Sequence, residues 1–140
     1  MTERDDLTRQ LTALMLRAAP AMVVALQGEG GLSLNAPFAN PLHPKQPLWF
    51  GGVRPGKAYV SYHLMPVYSH PALLEGISPA LRRRMQGKSC FNFKKPDPDL
   101  MAELEALTAA AAELYARPFT IERIDGQSVA TPAPSGPADN

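Results

Sequence analysis

A chain of 140 residues with 45% apolar and 19% charged residues has the composition of one folded domain, which excludes a disordered chain. The formal net charge is +1, so bulk charge predicts no nucleic-acid partner. The single cysteine, Cys90, excludes an intramolecular disulfide and a cysteine-based metal knuckle, which fits a reducing compartment. No apolar run is long enough to span a bilayer and the first residues lack the order of a secretory signal, so we expect a cytoplasmic protein without a membrane partner.

The N-terminal segment predicts an amphipathic helix. Thr2 suits the N-cap, and acidic residues follow it in the first turn, where the helix dipole favours negative charge. Pro20 ends the segment. The apolar positions repeat at steps of four, three and four, which places them on one helical face: Leu7, Leu11, Leu14 and Ala18.

Two hairpins are predicted next. Residues 21–26 are apolar and β-branched and run into a glycine-rich turn, with 32–34 as the partner strand. Residues 35–47 contain four prolines, each of which fixes φ and removes a backbone donor, so a loop is predicted there. An aromatic strand at 48–53 then pairs with a strand at 58–64.

The strand at 58–64 has two different faces, because successive side chains of a strand point to opposite sides of a sheet. We expect one set to face the core and the other to face away from it. The core set is Val60, Tyr62 and Leu64, and the other set is Tyr59, Ser61 and His63.

The second half predicts short helical segments, a strand and a long helix. Residues 71–75 suit one helical turn, and Ser78-Pro79 suits the start of a short helix capped by Gly87. In the strand 89–93, Phe91 and Phe93 are expected to face the core. Asp97-Pro98 repeats the helix start, and the helix that follows carries an apolar stripe of Leu100, Leu104, Leu107, Ala111 and Leu114.

These elements predict an α+β fold with a single antiparallel sheet of four to five strands packed against an N-terminal and a C-terminal helix. Residues 119–124 suit a last strand or a packed arm. The domain is therefore predicted to span residues 1–124. A disordered tail rich in Pro, Ala, Gly and Ser is predicted at 125–140.

Helices on one side would leave the other sheet face exposed, and an exposed aromatic face marks a ligand or partner surface. The residues expected to bind there are Trp49, Tyr59, His63 and Asn92, together with Tyr68 from the segment after the strand. The loop 35–47 is a second place where a partner would bind.

Three other patterns suggest chemistry, and each has a simpler structural explanation. Cys90 with His63 or His70 could form a thiolate and its base, but a lone cysteine beside phenylalanines is typical of a small buried apolar residue. The spacing of the histidines, which also include His43, matches no metal-site pattern. Gly87-Lys-Ser resembles the end of a phosphate loop, but it runs from helix to strand and lacks the earlier glycine.

The basic residues concentrate near the predicted strand with Phe91 and Phe93. Consecutive arginines on a helix point in different directions, and the rings are expected in the core. The pattern therefore favours a solvated face or a protein contact over nucleic acid. The basic residues are Arg82, Arg83, Arg84, Lys88, Lys94 and Lys95.

The strand Tyr59-Val-Ser-Tyr-His63, the segment Gly87-Lys-Ser-Cys-Phe-Asn-Phe93 and the helix that follows resemble the YdhG-like family of domains of unknown function. The resemblance covers residues 7–114 loosely and 57–107 more closely, and it implies a small two-layer α+β sandwich. Some members are described as frataxin-like iron chaperones, which implies an iron-handling role. Iron favours clustered carboxylates, whereas the acidic residues here are dispersed apart from those in the first turn.

We therefore expect a non-enzymatic binding domain of the YdhG-like family that takes a small molecule or a protein partner through the exposed sheet face, without a cofactor or a metal. A homodimer is left open. The alternatives are an iron-binding chaperone and a small hydrolase or transferase that uses Cys90 and His63.

Overall fold

The computed structural model of the chain describes residues 2–28, 30–41, 43–117, 119–124 and 127–132. Its helices are α1 Glu3–Ala18, α2 Pro66–Ser69, α3 Pro79–Arg82 and α4 Pro98–Tyr115, with a 3-10 turn at Pro71–Leu74. Its strands are β1 Val23–Gly28, β2 Gly31–Ala39, β3 Pro47–Pro55, β4 Val60–Leu64, β5 Cys90–Phe93, β6 Phe119–Ile124 and β7 Gln127–Pro132. Among the described helices, none is long and apolar enough to cross a bilayer.

Strands β1 to β5 form one antiparallel sheet in which neighbours in sequence are neighbours in space. Helices α1 and α4 pack against each other, and the apolar side chains of both share one core cluster with the sheet. The predicted α+β fold, with one sheet and two terminal helices, is confirmed.

Side-chain caps start both long helices as the sequence predicts. The Thr2 hydroxyl accepts from the Asp5 amide at 3.1 Å, and the Asp5 carboxylate accepts from the Thr2 amide at 3.1 Å. Asp97 accepts from the Leu100 amide at 3.2 Å at the start of α4. These caps give hydrogen-bond acceptors to first-turn backbone amides that have no partner within the helix.

The core face of the sheet is also as predicted. Val60, Tyr62 and Leu64 are at most 1% exposed, as are Phe91 and Phe93. The two phenylalanines lie opposite Tyr62 and Val60 in the β4–β5 register, so both strands turn the same row of side chains towards the helices.

The stripe of α4 differs from the prediction at its last position. Leu114 is 39% exposed, and Tyr115 is buried in its place. A step of four from Ala111 follows the 3.6-residue period there, and it brings the Tyr115 ring to 5.9 Å from that of Phe50.

One buried hydrogen bond joins the sheet to α4. The hydroxyls of Tyr62 and Thr108 lie 2.6 Å apart, and Thr108 also donates to the Leu104 carbonyl at 2.7 Å. Because a threonine hydroxyl has one proton, Tyr62 is the donor to Thr108. Burial raises the pKa of Tyr62 well above its ordinary range, so the phenol stays protonated.

Two predicted boundaries were wrong. The loop predicted at 35–47 begins later, because β2 continues to Ala39. Pro37 is tolerated there since the pairing of β1 with β2 ends at Val23 and Asn35, so no ladder bond is lost on that side. The helix predicted to reach Gly87 ends at Arg82, and the chain then turns so that Met85 forms a β-bridge with Phe91.

The chain after Ile124 also differs from the predicted tail. Residues 127–132 form β7, which pairs with β6 from Phe119 opposite Pro132 to Ile124 opposite Gln127. The small residues of this strand give no clear alternation of apolar and polar side chains in the sequence. Asp-Gly at 125–126 is nevertheless a dipeptide favoured between hairpin strands. The disorder predicted for 125–126 and 133–140 lies outside the described residues.

Replacing Phe91 with Ala is expected to lower the free energy of unfolding by about 3–5 kcal/mol, because the ring is completely buried. Urea denaturation measures the loss. Tyr59→Ala is the control, since this ring is 41% exposed, and it should cost less than about 1 kcal/mol. Equal losses at the two positions would contradict the assignment of the core face.

The Tyr62–Thr108 bond predicts an asymmetric mutant cycle. Thr108→Val leaves the Tyr62 hydroxyl buried without an acceptor and is expected to cost about 1–3 kcal/mol, whereas Tyr62→Phe leaves the Thr108 proton bonded to Leu104 and should cost about 1 kcal/mol. The double variant should be no less stable than Thr108→Val alone. Additive losses in urea denaturation would show that the two hydroxyls are not coupled.

Candidate functional site

The sheet face turned away from α1 and α4, called the open face below, combines aromatic and polar side chains. Its rows follow from the register, in which Ser33, Gly52, His63 and Cys90 lie side by side across four strands, and so do Arg54, Ser61 and Asn92 across three. None of the five strands carries an Asp or Glu.

The aromatic part of the open face is built around Trp49. Its indole lies 5.4 Å from the His63 imidazole, with 44° between the ring planes, and its Nε1 donates to the Ser33 hydroxyl at 2.9 Å. Both rings are half-buried. The hydrogen bond and the ring contact hold the indole over the centre of the sheet.

The structure brings together four of the five residues predicted to bind a ligand. Trp49, His63 and Asn92 lie on the open face, and Tyr59 continues the same alternation one residue before β4, with the Lys94 ammonium 5.3 Å from its ring centre. Tyr68 lies apart from them on α2, where Lys88 is 5.6 Å from its ring centre. The role of all five as a binding site stays a prediction.

Asn92 uses its side chain within the protein. Its Oδ1 accepts from the Ser61 hydroxyl at 2.9 Å and from the Cys90 thiol at 3.5 Å, and its Nδ2 donates to Gln86 at 2.6 Å. An amide with these partners positions β5 and the segment beside it. It contributes little capacity for a ligand.

The centre of the open face holds a narrow cleft, where Trp49, Arg54 and His63 lie around Gly52. The cleft has a volume of about 30 Å³, which is room for about two water molecules. A Cβ on Gly52 would lie 2.3 Å from the Leu32 carbonyl oxygen, so glycine is required by the close approach of the strands. A small molecule does not fit inside this cleft, although the tip of a side chain does.

His63 and Cys90 are direct cross-strand neighbours, as the enzyme alternative requires. The protonation states of the Cys90 thiol and the His63 imidazole argue against the enzyme alternative. Burial raises the pKa of the Cys90 thiol, while burial and the nearby Arg54 guanidinium lower the pKa of His63. A neutral thiol beside a neutral imidazole is the reverse of an activated thiolate and its cationic base.

The two edge strands of the sheet, β5 and β1, differ in the backbone hydrogen-bond partners that the chain gives them. At β5 the segment after α3 supplies backbone partners, since the Asn92 amide donates to the Arg84 carbonyl at 2.8 Å and the Gln86 amide donates to the Cys90 carbonyl at 2.9 Å. At the other edge β1 pairs only with β2 in the described sheet. One edge is covered and the other is left open.

The open edge is apolar. Val23, Val24 and Leu26 are 51%, 47% and 57% exposed, and β1 has no charged residue and no proline. Exposed edge strands of this composition are pairing sites, and natural proteins usually protect them with charges or prolines. Among the described residues of this edge, the protecting device is a bulge at Ala25.

Charge is unevenly distributed along the chain, which the net value hides. Residues 23–96, which include the five strands and their connections, contain nine Lys and Arg and two carboxylates, Glu29 and Glu75. Within the described ranges both ion pairs are made by helical residues, Arg9 with Asp6 and Arg17 with Glu105. The sheet and its connections are therefore basic, and the spacing of the acidic residues in the sequence was the signal that could have revealed it.

A second concavity lies away from the open face, between α2 and the segment after α3. Its volume is about 410 Å³, in the range of small-molecule sites. Sequence reasoning missed it because its walls come from three separate segments. Its lining includes Tyr68, Pro71, Leu74, Arg82, Met85 and Lys88, and it is called the groove below.

No three His, Cys, Asp or Glu side chains lie close enough to hold a metal ion in the part of the chain that the structure describes. The iron-chaperone alternative thus has no ligand cluster to support it among those residues.

The pKa of Cys90 predicts slow alkylation. The rate of its reaction with iodoacetamide should rise with pH around a midpoint above that of free cysteine, because burial disfavours the thiolate. His63→Gln should leave the midpoint unchanged, and the urea-unfolded chain should return it to the ordinary value. A midpoint below that of free cysteine would contradict this account and favour the enzyme alternative.

No protein-family model, no curated protein and no solved structure matches this chain. The resemblance to the YdhG-like family therefore stays a prediction.

Proposed function

We propose that this chain is a non-enzymatic binding domain that takes an extended acidic segment of a partner protein along β1 and the adjoining part of the open face. The observation that carries the proposal is the contrast between the two sheet edges. The β5 edge has backbone partners within the chain, whereas β1 is exposed, apolar and uncharged. Addition of a strand to an exposed edge is a general mode of peptide recognition.

The side chains beside β1 favour a partner with an apolar row. Leu26 lies opposite Ser33, next to Trp49, and these residues line the narrow cleft at the centre of the open face. An added strand would place alternate side chains on this face. One of them would cover Leu26 and remove its apolar surface from water.

The charges of the open face favour an acidic partner. Arg54 lines the same cleft, is exposed, and makes no ion pair among the described residues. Because the five strands lack carboxylates, a partner residue with a carboxylate would find an unopposed cation. A second copy of this chain would bring the same cation, so self-pairing at β1 would leave Arg54 without a counter-charge.

The same features favour a protein over the other partners. A small molecule has too little room in the cleft of about 30 Å³. Nucleic acid is bound through cations that contact successive phosphates, and β1 carries none. The backbone groups of an open edge are useful to another polypeptide strand.

A fluorescein-labelled seven-residue peptide of alternating Val and Glu provides the test, read by fluorescence anisotropy. We expect saturable binding, with a matched Val and Lys peptide at least about tenfold weaker because of Arg54. Leu26→Asp should weaken binding of the Glu peptide by about tenfold or more, since it places a carboxylate on the edge. Leu114→Asp is the matched control, because this leucine is exposed on α4, and it should leave binding unchanged.

Several outcomes would overturn the proposal. Failure of both peptides to bind, or equal binding of the two, would remove the acidic partner. A concentration-dependent dimer in analytical ultracentrifugation that Leu26→Asp abolishes would assign β1 to a second copy. Tighter binding of a labelled oligonucleotide than of the peptide would assign the basic sheet to nucleic acid.

A further inference from the structure

We infer that the groove between α2 and the segment after α3 binds a small amphipathic organic acid, with its apolar body on the floor and its anionic group between Arg82 and Lys88. The groove lies at the β5 side of the sheet, since α2 follows β4 and Lys88 precedes β5. The β1 edge is at the opposite side, so the inference is independent of the proposed protein partner.

The floor of the groove is apolar. Val67 is 1% exposed at its base, and Leu74 and Met85 are partly buried beside it. Tyr68 is 54% exposed and forms one wall. A ligand with an apolar body would remove these surfaces from water, and the flexible Met85 thioether adapts to different shapes.

The rim of the groove carries two cations that lack carboxylate partners in the described chain. The Arg82 guanidinium donates to the Leu74 carbonyl at 2.6 Å, which holds it in place. The Lys88 ammonium lies 5.6 Å from the centre of the Tyr68 ring. A carbonyl and an aromatic face are weaker partners for a cation than an anion is, so an anionic group would improve both contacts.

The positive charge beside the groove favours an anionic ligand. Residues 76–96, which carry Arg82 and Lys88, contain six Lys and Arg and no acidic residue, so the potential on this side of the groove is positive. The carboxylates nearby are Glu75, which follows Leu74, and Glu103, which accepts from the Ser78 amide and hydroxyl. A cationic or zwitterionic ligand would gain little there. The volume of about 410 Å³ suits a small molecule with an apolar body and one anionic group.

The test uses 1-anilinonaphthalene-8-sulfonate, which has an apolar aromatic body and one sulfonate, and the uncharged N-phenyl-1-naphthylamine as its matched neutral probe. We expect saturable fluorescence enhancement with the sulfonate and a rise in the melting temperature of the folded chain. Lys88→Gln should weaken the sulfonate about fivefold, the effect of one partly exposed charge, and change the affinity of the neutral probe by less than about twofold.

Lys94→Gln is the matched control, because Lys94 also lies over a tyrosine ring but outside the groove. It should leave both probes unchanged. Tyr68→Ala should weaken both probes, since it removes a wall. Amide chemical-shift changes on titration should centre on Gly87 and Lys88.

Other results would overturn the inference. Enhancement without a rise in melting temperature would mean that the dye binds partly unfolded chains. Equal losses in Lys88→Gln and Lys94→Gln would mean that the dye follows bulk charge. Shifts centred on β1 would place the probe at the edge. Failure of the Val and Glu peptide to bind the unaltered chain, with saturable dye binding retained, would overturn the proposed function and not this inference.

Discussion

In the described part of the chain, helices cover one face of the five-stranded sheet, and the rest of the structure depends on this constraint. Both long helices pack on the same side, and the alternation of the strands turns their apolar row towards them. The Tyr62–Thr108 hydrogen bond and the buried phenylalanines hold that side together. The other side must then be stable in water, which explains its hydroxyl, amide and imidazole groups and the bonding of Asn92 to its own neighbours.

The two helices do not cover the edges of the sheet, so the protection of each edge strand depends on other parts of the chain. The segment after α3 covers β5 through the Arg84 and Gln86 backbone, and the same turn builds one wall of the groove. The turn after α3 thus both covers the β5 edge and forms one wall of the groove. At β1 the protection is limited to a bulge, so the apolar Val23 and Leu26 stay exposed. The unequal distribution of charge adds to this contrast, because the sheet side is basic while the helices carry the ion pairs.

Local signals in the sequence were sufficient for much of the fold. The caps at Thr2 and Asp97 and the alternation around Tyr62 act over a few residues, and each appears where it was predicted. Long-range arrangement could not be predicted in the same way. The burial of Tyr115 instead of Leu114, and the position of Tyr68 away from the open face, depend on elements distant in the sequence.

The candidate sites were predictable only in part. Alternation correctly placed His63 and Asn92 on the open face, but it could not show that Asn92 is already hydrogen-bonded or that the central cleft is narrow. The groove combines segments around Tyr68, Leu74 and Met85, so no single sequence motif predicts it. The strand at 127–132 was not predicted, because its residues are mostly small and end in Pro132, and its pairing with Phe119–Ile124 is visible in the structure alone.

Amide hydrogen exchange in the dilute chain tests the central claim most directly, because it measures the openness of each edge. The account predicts that outward-facing amides of Val23–Gly28 exchange at nearly the unprotected rate. The Asn92 amide, bonded to the Arg84 carbonyl, should be protected together with the interior of the sheet. Protection along the whole of β1, equal to that of Asn92, would contradict the claim that this edge is open.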